Sequence, residues 1–382
     1  MGKKFLLFNQ SLLPPLGSII MRNHFFILAL SVLISACLGS ELAFADPDGS
    51  NSNSLPLFSR PSQHTGYDDP ALTAVTREFG PSKIRMSRLP HRSKVAVANQ
   101  KPWSSWWYPK KDESLFEGSN SPLAKYDLFR KLRYHYKGKP TPRSAAEFEK
   151  QKYSSQALAW EGLCDAWSLA SILKPEPKRP VTMRIGRESI TFTVADLKAL
   201  LLKTYEAVDD EELKYYGQKF TGDARGWIFP DIYPNEFHRF LEVYLFKKKQ
   251  AFVMDHDPGP EVWNVPVYKA NYHMQAIPGD PNAVFVTAWV YSAKFVQPHE
   301  KDFVGTRETV RTYHYVLRGS RNPSGKLVVT SGEWVKGPDH IDSTKDHPDF
   351  ITTVPNPLTL TRKSSNPEIE IDLVDEILLN SY

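Results

Sequence analysis

The sequence predicts an α+β fold in which a cysteine opens a helix that packs against an antiparallel sheet. Three observations carry this expectation. Residues after Cys164 place Ala166, Trp167, Leu169, Ala170, Ile172 and Leu173 at helical spacing, and Pro175 ends the run. The back half is a series of strand-like stretches: "QAFVMD", "EVWNVPVY", "AVFVTAWVYS", "TVRTYHYVLRG" and "KLVVTSGEW". The composition is ordinary for a folded chain, 382 residues with 41% hydrophobic and 24% charged, which is length enough for one large domain or two modest ones.

The N-terminus comes first. Met21-Arg22-Asn23-His24 precedes the apolar run "FFILALSVLISACL", and Ala43-Phe44-Ala45 follows. A basic start, an apolar middle and small residues at a cleavage point predict a secretion signal over 1–45, with Met21 an alternative start. The apolar run is shorter than the roughly 20 residues a spanning helix needs. Ile34-Ser35-Ala36-Cys37 supports a second possibility, a lipoprotein anchored through Cys37. The expected location is therefore secreted or periplasmic, with membrane attachment only if Cys37 is lipidated. Residues 46–100, rich in Ser, Pro and Asn and without a periodic apolar face, are expected to be a flexible leader.

Order is expected to begin at "KPWSSWWYP", where Trp103, Trp106 and Trp107 plug an apolar surface or wall a groove. "PVTMRIG" and "SITFTV" read as a strand pair about Gly186, and "VADLKALLLKTYEAV" as a second amphipathic helix. A catalytic domain is expected over 101–360. The acidic tail 361–382 is expected to fray. A formal charge of +5 without a dense basic stripe argues against nucleic acid as a partner.

Cys164 is one of two cysteines, and the other, Cys37, is removed or lipidated on export. A lone thiol outside the cytoplasm is exposed to oxidation, so its retention asks for a reason. At a helix start it meets unpaired N–H groups and the positive end of the dipole, which favour thiolate and can stabilise an oxyanion. A thiolate needs a proton carrier oriented by a third group. His238 is the candidate base and Asp255 the orienting acid, if "HRFLEVYLFKKKQAFVMD" is two antiparallel strands joined through the lysine turn. Read instead as a helix entered through Pro234, the same segment makes His238 part of a core face. Asp257 rivals Asp255, and His256 points away from Asp255 if the segment is a strand. Asp165 either disfavours thiolate by its charge or satisfies a helix N-terminal N–H; the second is the preferred reading. The remaining histidines lack zinc spacing, so no cofactor is expected, and calcium is left open.

Several ordered motifs carry a resemblance. "GLCDAWSLASILKPEP", "DIYPNEFHRFL", "FVMDHDPGPEVWNVPVY", "SGEW" and "HPDF" are similar, in this order, to segments of the transglutaminase elicitor family of oomycetes and bacteria. "PWSSWWYP" is like that family's Trp-rich opening. The likeness runs from about Lys101 to Phe350. It departs at Asp165-Ala166, where the family has His-Gly, and at Ser331, where it has Gly.

The resemblance implies a papain-like or transglutaminase-like fold. It also implies a protein-glutamine γ-glutamyltransferase with Cys164 as nucleophile, His238 as base and Asp255 as orienting acid. The expected partners are protein substrates with accessible Gln and Lys. Val262 to Val267 matches the stretch that plant hosts detect in oomycete members; a surface strand and turn is the plainer reading. Two other readings stand beside this one: a cysteine protease using the same three residues, and a secreted binding protein whose catalytic residues have decayed.

Overall fold

The long strands that alternate in sequence form the backbone of the fold. In the computed structural model, residues 72–218, 231–259 and 261–382 are described, all within one unit, Arg60–Tyr382. In chain order the strands are β1 Lys83–Arg85, β2 His91–Arg92, β3 Ala96–Val97, β4 Val181–Ile185, β5 Glu188–Phe192, β6 Lys214–Tyr216, β7 Phe252–Asp255, β8 Asn264–Ile277, β9 Asp280–Ala293, β10 Glu308–Arg321, β11 Lys326–Trp334 and β12 Ile351–Thr353. The helices are α1 Ala74–Phe79, α2 Pro122–Tyr136, α3 Ala145–Lys150, α4 Cys164–Leu173, α5 Val194–Lys203, α6 Pro234–Leu241 and α7 Ile371–Leu378.

Ten strands form one antiparallel sheet in the order β1-β11-β10-β9-β8-β7-β12-β6, with β2 and β3 also on β8. β4 and β5 form a separate hairpin turned at Gly186, whose φ of 60° lies in the left-handed region that glycine enters freely. Successive residues of a strand point to opposite faces. On β7, Phe252 and Met254 join the core beneath α6, while Val253 joins the core on the other side with α2, α4, α5 and α7. The register carries these faces across the sheet: Met254 pairs with Val265 and with Ile351, and Asp255 pairs with Asn264. A bulge between Val267 and Lys269 shifts the alternation. Beyond it Ala270, Tyr272 and Met274 take the α6 face.

Local chemistry sets the helix starts. Ser121 caps α2 ahead of Pro122, and Thr193 and Asp196 close a capping box on α5. Pro234 opens α6, which runs on through π-helical turns to Lys248. From that start the helical period turns Phe237, Phe240 and Leu241 into the sheet, all fully buried. The "HRFLEVYLF" segment is therefore helix, and the strand reading of it does not hold.

Two expectations of disorder are corrected. Residues 72–98 are packed, not a leader: Val75, Ile84 and Ala96 are buried, β1 pairs with β11, and Thr76 N donates to Glu236 at 2.8 Å. Strands of two or three residues that lean on an existing sheet edge leave no periodicity to read. The tail forms α7, whose Leu373, Val374, Ile377 and Leu378 are buried at helical spacing, while Arg362 and Arg133 hold Asp375 and Glu376. The secretion signal and lipidation expectations at 1–45, and the leader up to residue 71, lie outside the described residues. Among the described residues no helix is long and apolar enough to cross a membrane.

Candidate functional site

Cys164 is the first residue of α4. The chain reaches it through Gly162, which lies so close to the Trp107 ring that a Cβ there would stand 2.5 Å from Trp107 Cζ3 and 2.9 Å from the Pro109 backbone. The Trp-rich segment is mainly a plug: Trp103 and Trp107 are buried, and Trp107 meets Trp263 and Phe295 at ring separations of 5.5 Å. Two indoles also hold α4 in place. Trp103 Nε1 donates to Lys174 O at 3.0 Å, and Trp167 Nε1 donates to Trp103 O at 2.9 Å.

The Cys164 thiol lies at the start of β8. Sγ donates to Val262 O at 3.7 Å, and the Asn264 N–H is directed at the sulfur. Ser168, one turn along α4, donates to Asn264 O at 3.1 Å. The stretch Val262 to Val267 is thus part of the site, and Val265 and Val267 are core residues. Burial pushes the Cys164 thiol well above its ordinary range, Asp165 and then Asp255 add to this, and the Asn264 and Asp165 N–H groups pull it down. These N–H groups favour the thiolate, but desolvation outweighs them. Asp165 is exposed and accepts from Ala166 N at 2.7 Å, the helix-start role expected of it.

A cavity of about 650 Å³ opens over the sulfur. Val253, Asn264 and Thr352, which share the sheet face away from α6, line it with Cys164. Its rim carries Glu161, Asp165, Glu206 and Asp210, and among the described residues no Lys, Arg or His lines it. Burial pushes Glu206 up, but Lys203, at 2.5 Å, carries it below the usual carboxylate range.

Asp255 ends β7 directly across from Asn264. It is fully buried; Oδ1 accepts from Trp263 N at 3.0 Å and Asp257 N at 3.2 Å, while Oδ2 has no partner. Burial pushes its pKa up to about 7. Asp257 instead closes a turn onto Gly259 N at 2.8 Å. Asp349 adds a second buried acid, raised to about 9 by burial and by Asp231 and Asp255. Asp231 is bonded to His347 Nε2 at 2.5 Å. Among the described residues no group of three or more His, Cys, Asp or Glu is placed to hold a metal ion.

His238 is not at this site. Its Nδ1 bonds the Tyr315 hydroxyl at 2.8 Å, its ring packs on Tyr272 at 4.9 Å, and Nε2 has Glu242 Oε1 at 3.8 Å. Tyr272 and Tyr315 belong to the core beneath α6, so the sheet separates His238 from Cys164. The grouping of Cys164, His238 and Asp255 is corrected: His238 lies across the sheet from Cys164, while Asp255 is near enough to act on the thiol electrostatically but is not among the residues that line the cavity. The reason is the helix at Pro234, which places His238 on a core face beside Phe237. His256 does not line the cavity either, and burial lowers it to about 3. Sequence reasoning missed Asn264 and Asp349. The available signal was strand alternation, which puts Asn264 on the face of Asp255 once β7 and β8 are paired.

Comparison with known proteins agrees with this architecture. Residues 142–284 match the family described as Transglutaminase elicitor. The fold is similar to the crystal structure of the GP42 transglutaminase from Phytophthora sojae, at a TM-score of 0.55 and 20% identity, over 81% of this chain and 97% of that one. No curated protein matches.

Proposed function

From a chain that resembles the transglutaminase elicitor family over residues 142–284, we propose an acyltransferase that uses Cys164 to move the γ-glutamyl group of a protein glutamine. The observation that carries this reading is one thiol, at a helix N-terminus on the floor of a cavity, with a backbone N–H on the sulfur and a buried carboxyl across one register pair. In this reading Sγ attacks the carboxamide carbon and its proton passes to Asp255. The C–S bond forms, the C–N bond breaks, and ammonia leaves with that proton. An amine then attacks the thioester, a new C–N bond forms, and the sulfur departs and is reprotonated. Water in place of the amine gives deamidation. Asp255 suits both transfers because its pKa of about 7 lies near working pH. The acidic rim suits a lysine ammonium or another cationic amine as acceptor.

The proposed partners are protein segments that present Gln and Lys, met outside the cytoplasm if residues 1–45 act as an export signal. One observation favours a second reading, a binding protein without turnover: among the described residues no histidine lines the cavity, and burial pushes the thiol's pKa up. Incubation with casein and a fluorescent primary amine separates the readings. Ammonia release with amine incorporation, both lost in Cys164→Ala, supports transfer. Clipped casein marks a protease, and no product with a folded protein marks the binding protein.

A further inference from the structure

Asn264 brings an unmet hydrogen bond to the floor of the cavity. Its backbone is engaged on both sides, by the sulfur and by Ser168 Oγ. The residue is 7% exposed, and Oδ1 is buried with no donor. At the register-paired position Asp255 Oδ2 is also buried without a partner. Residues paired in this way stand about 5 Å apart at Cβ and share a face. Leaving either oxygen buried and unmatched is unfavourable. With Asp255 as the carboxylate both oxygens stay unmatched; a proton taken up by Asp255 satisfies both, because protonated Asp255 donates to Asn264 Oδ1. The other end of the Asn264 carboxamide, Nδ2–H, then serves the cavity that Asn264 lines beside Sγ.

We propose that Asn264 is the oxyanion donor of the Cys164 site, its Nδ2–H binding the acyl donor's carboxamide oxygen while Asp255 holds Oδ1. This rests on the acyl-transfer reading above. When Sγ adds to the carboxamide carbon, the C=O electron pair moves onto oxygen, and the thiol proton now on Asp255 is the one that fixes Asn264. As the intermediate collapses, C=O re-forms, C–N breaks, and that proton leaves with ammonia. The donor is thus locked during the interval in which the oxyanion exists.

The test compares wild type, Asn264→Ala and Asn264→Leu in amine incorporation into casein, and measures Cys164 alkylation by iodoacetamide in parallel. Alkylation forms no oxyanion, so it reports whether the thiol site is intact. The proposal expects kcat to fall about 10²–10³-fold in both variants, little change in KM, and alkylation near the wild-type rate. Near-wild-type kcat in either variant overturns the proposal alone, as does a loss of alkylation that parallels the loss of kcat. A folded wild type without turnover overturns the acyl-transfer reading and this proposal with it.

Discussion

His238 and Cys164 lie on opposite faces of one antiparallel sheet, His238 bonded to Tyr315 beneath α6 and Cys164 against the start of β8 beneath α4. The imidazole is part of the core. Replacing it with Gln removes a buried hydrogen bond to Tyr315, and we expect a loss of about 1–3 kcal/mol. Thermal unfolding should show the lower Tm, while iodoacetamide labelling of Cys164 below that temperature stays at the wild-type rate. A selective loss of thiol reactivity in a fully stable variant would contradict the placement.

Gly162 is required by the approach of Trp107 and Pro109. Gly162→Ala forces the aromatic plug outward and is expected to cost about 1–3 kcal/mol. Because Gly162 leads into Cys164, labelling of the thiol should change with the Tm. A variant as stable as wild type would show that the chain yields there without strain.

Asp165 raises the Cys164 thiol after burial has done so. Asp165→Asn should lower that pKa and speed alkylation at neutral pH by about two- to fivefold, a modest gain because the carboxylate is exposed. The pH profile of the alkylation rate checks this; an unchanged or slower rate would remove Asp165 from the electrostatics of the site.

Two buried acids make stability fall with rising pH. Asp255 and Asp349 are raised from 3.8 to about 7 and about 9, by burial first. Each holds its proton in the folded state where the unfolded chain has lost it. Their contribution is full below about pH 4 and is lost as pH rises through those values. Half-buried His256, lowered to about 3, acts oppositely, costing stability as pH falls below 6.5. Asp349→Asn should therefore flatten the decline of Tm between pH 6 and pH 9. A decline as steep as that of wild type would show that Asp349 does not titrate in this window.

What the sequence made legible follows from local rules. The cysteine helix was readable because Pro175 bounds an apolar period, and the strand-like stretches within β8 and β9 because of their apolar, β-branched and aromatic residues. His238 was misplaced because the same residues satisfy a strand pair and a Pro-initiated helix, and packing against Tyr313, Tyr315 and Phe252 chose the helix. The ordering of 72–98 was hidden because β2 and β3 are two residues long and depend on pairing with β8. Asn264 was overlooked because its role depends on the register with Asp255, a long-range fact that no local pattern states.

The most direct test of the account is amine incorporation into casein by wild type, Cys164→Ala and His238→Gln, each verified as folded and assayed together. The account predicts incorporation by wild type and by His238→Gln, and none by Cys164→Ala. Incorporation by Cys164→Ala at the wild-type rate, or its abolition in folded His238→Gln, would contradict it.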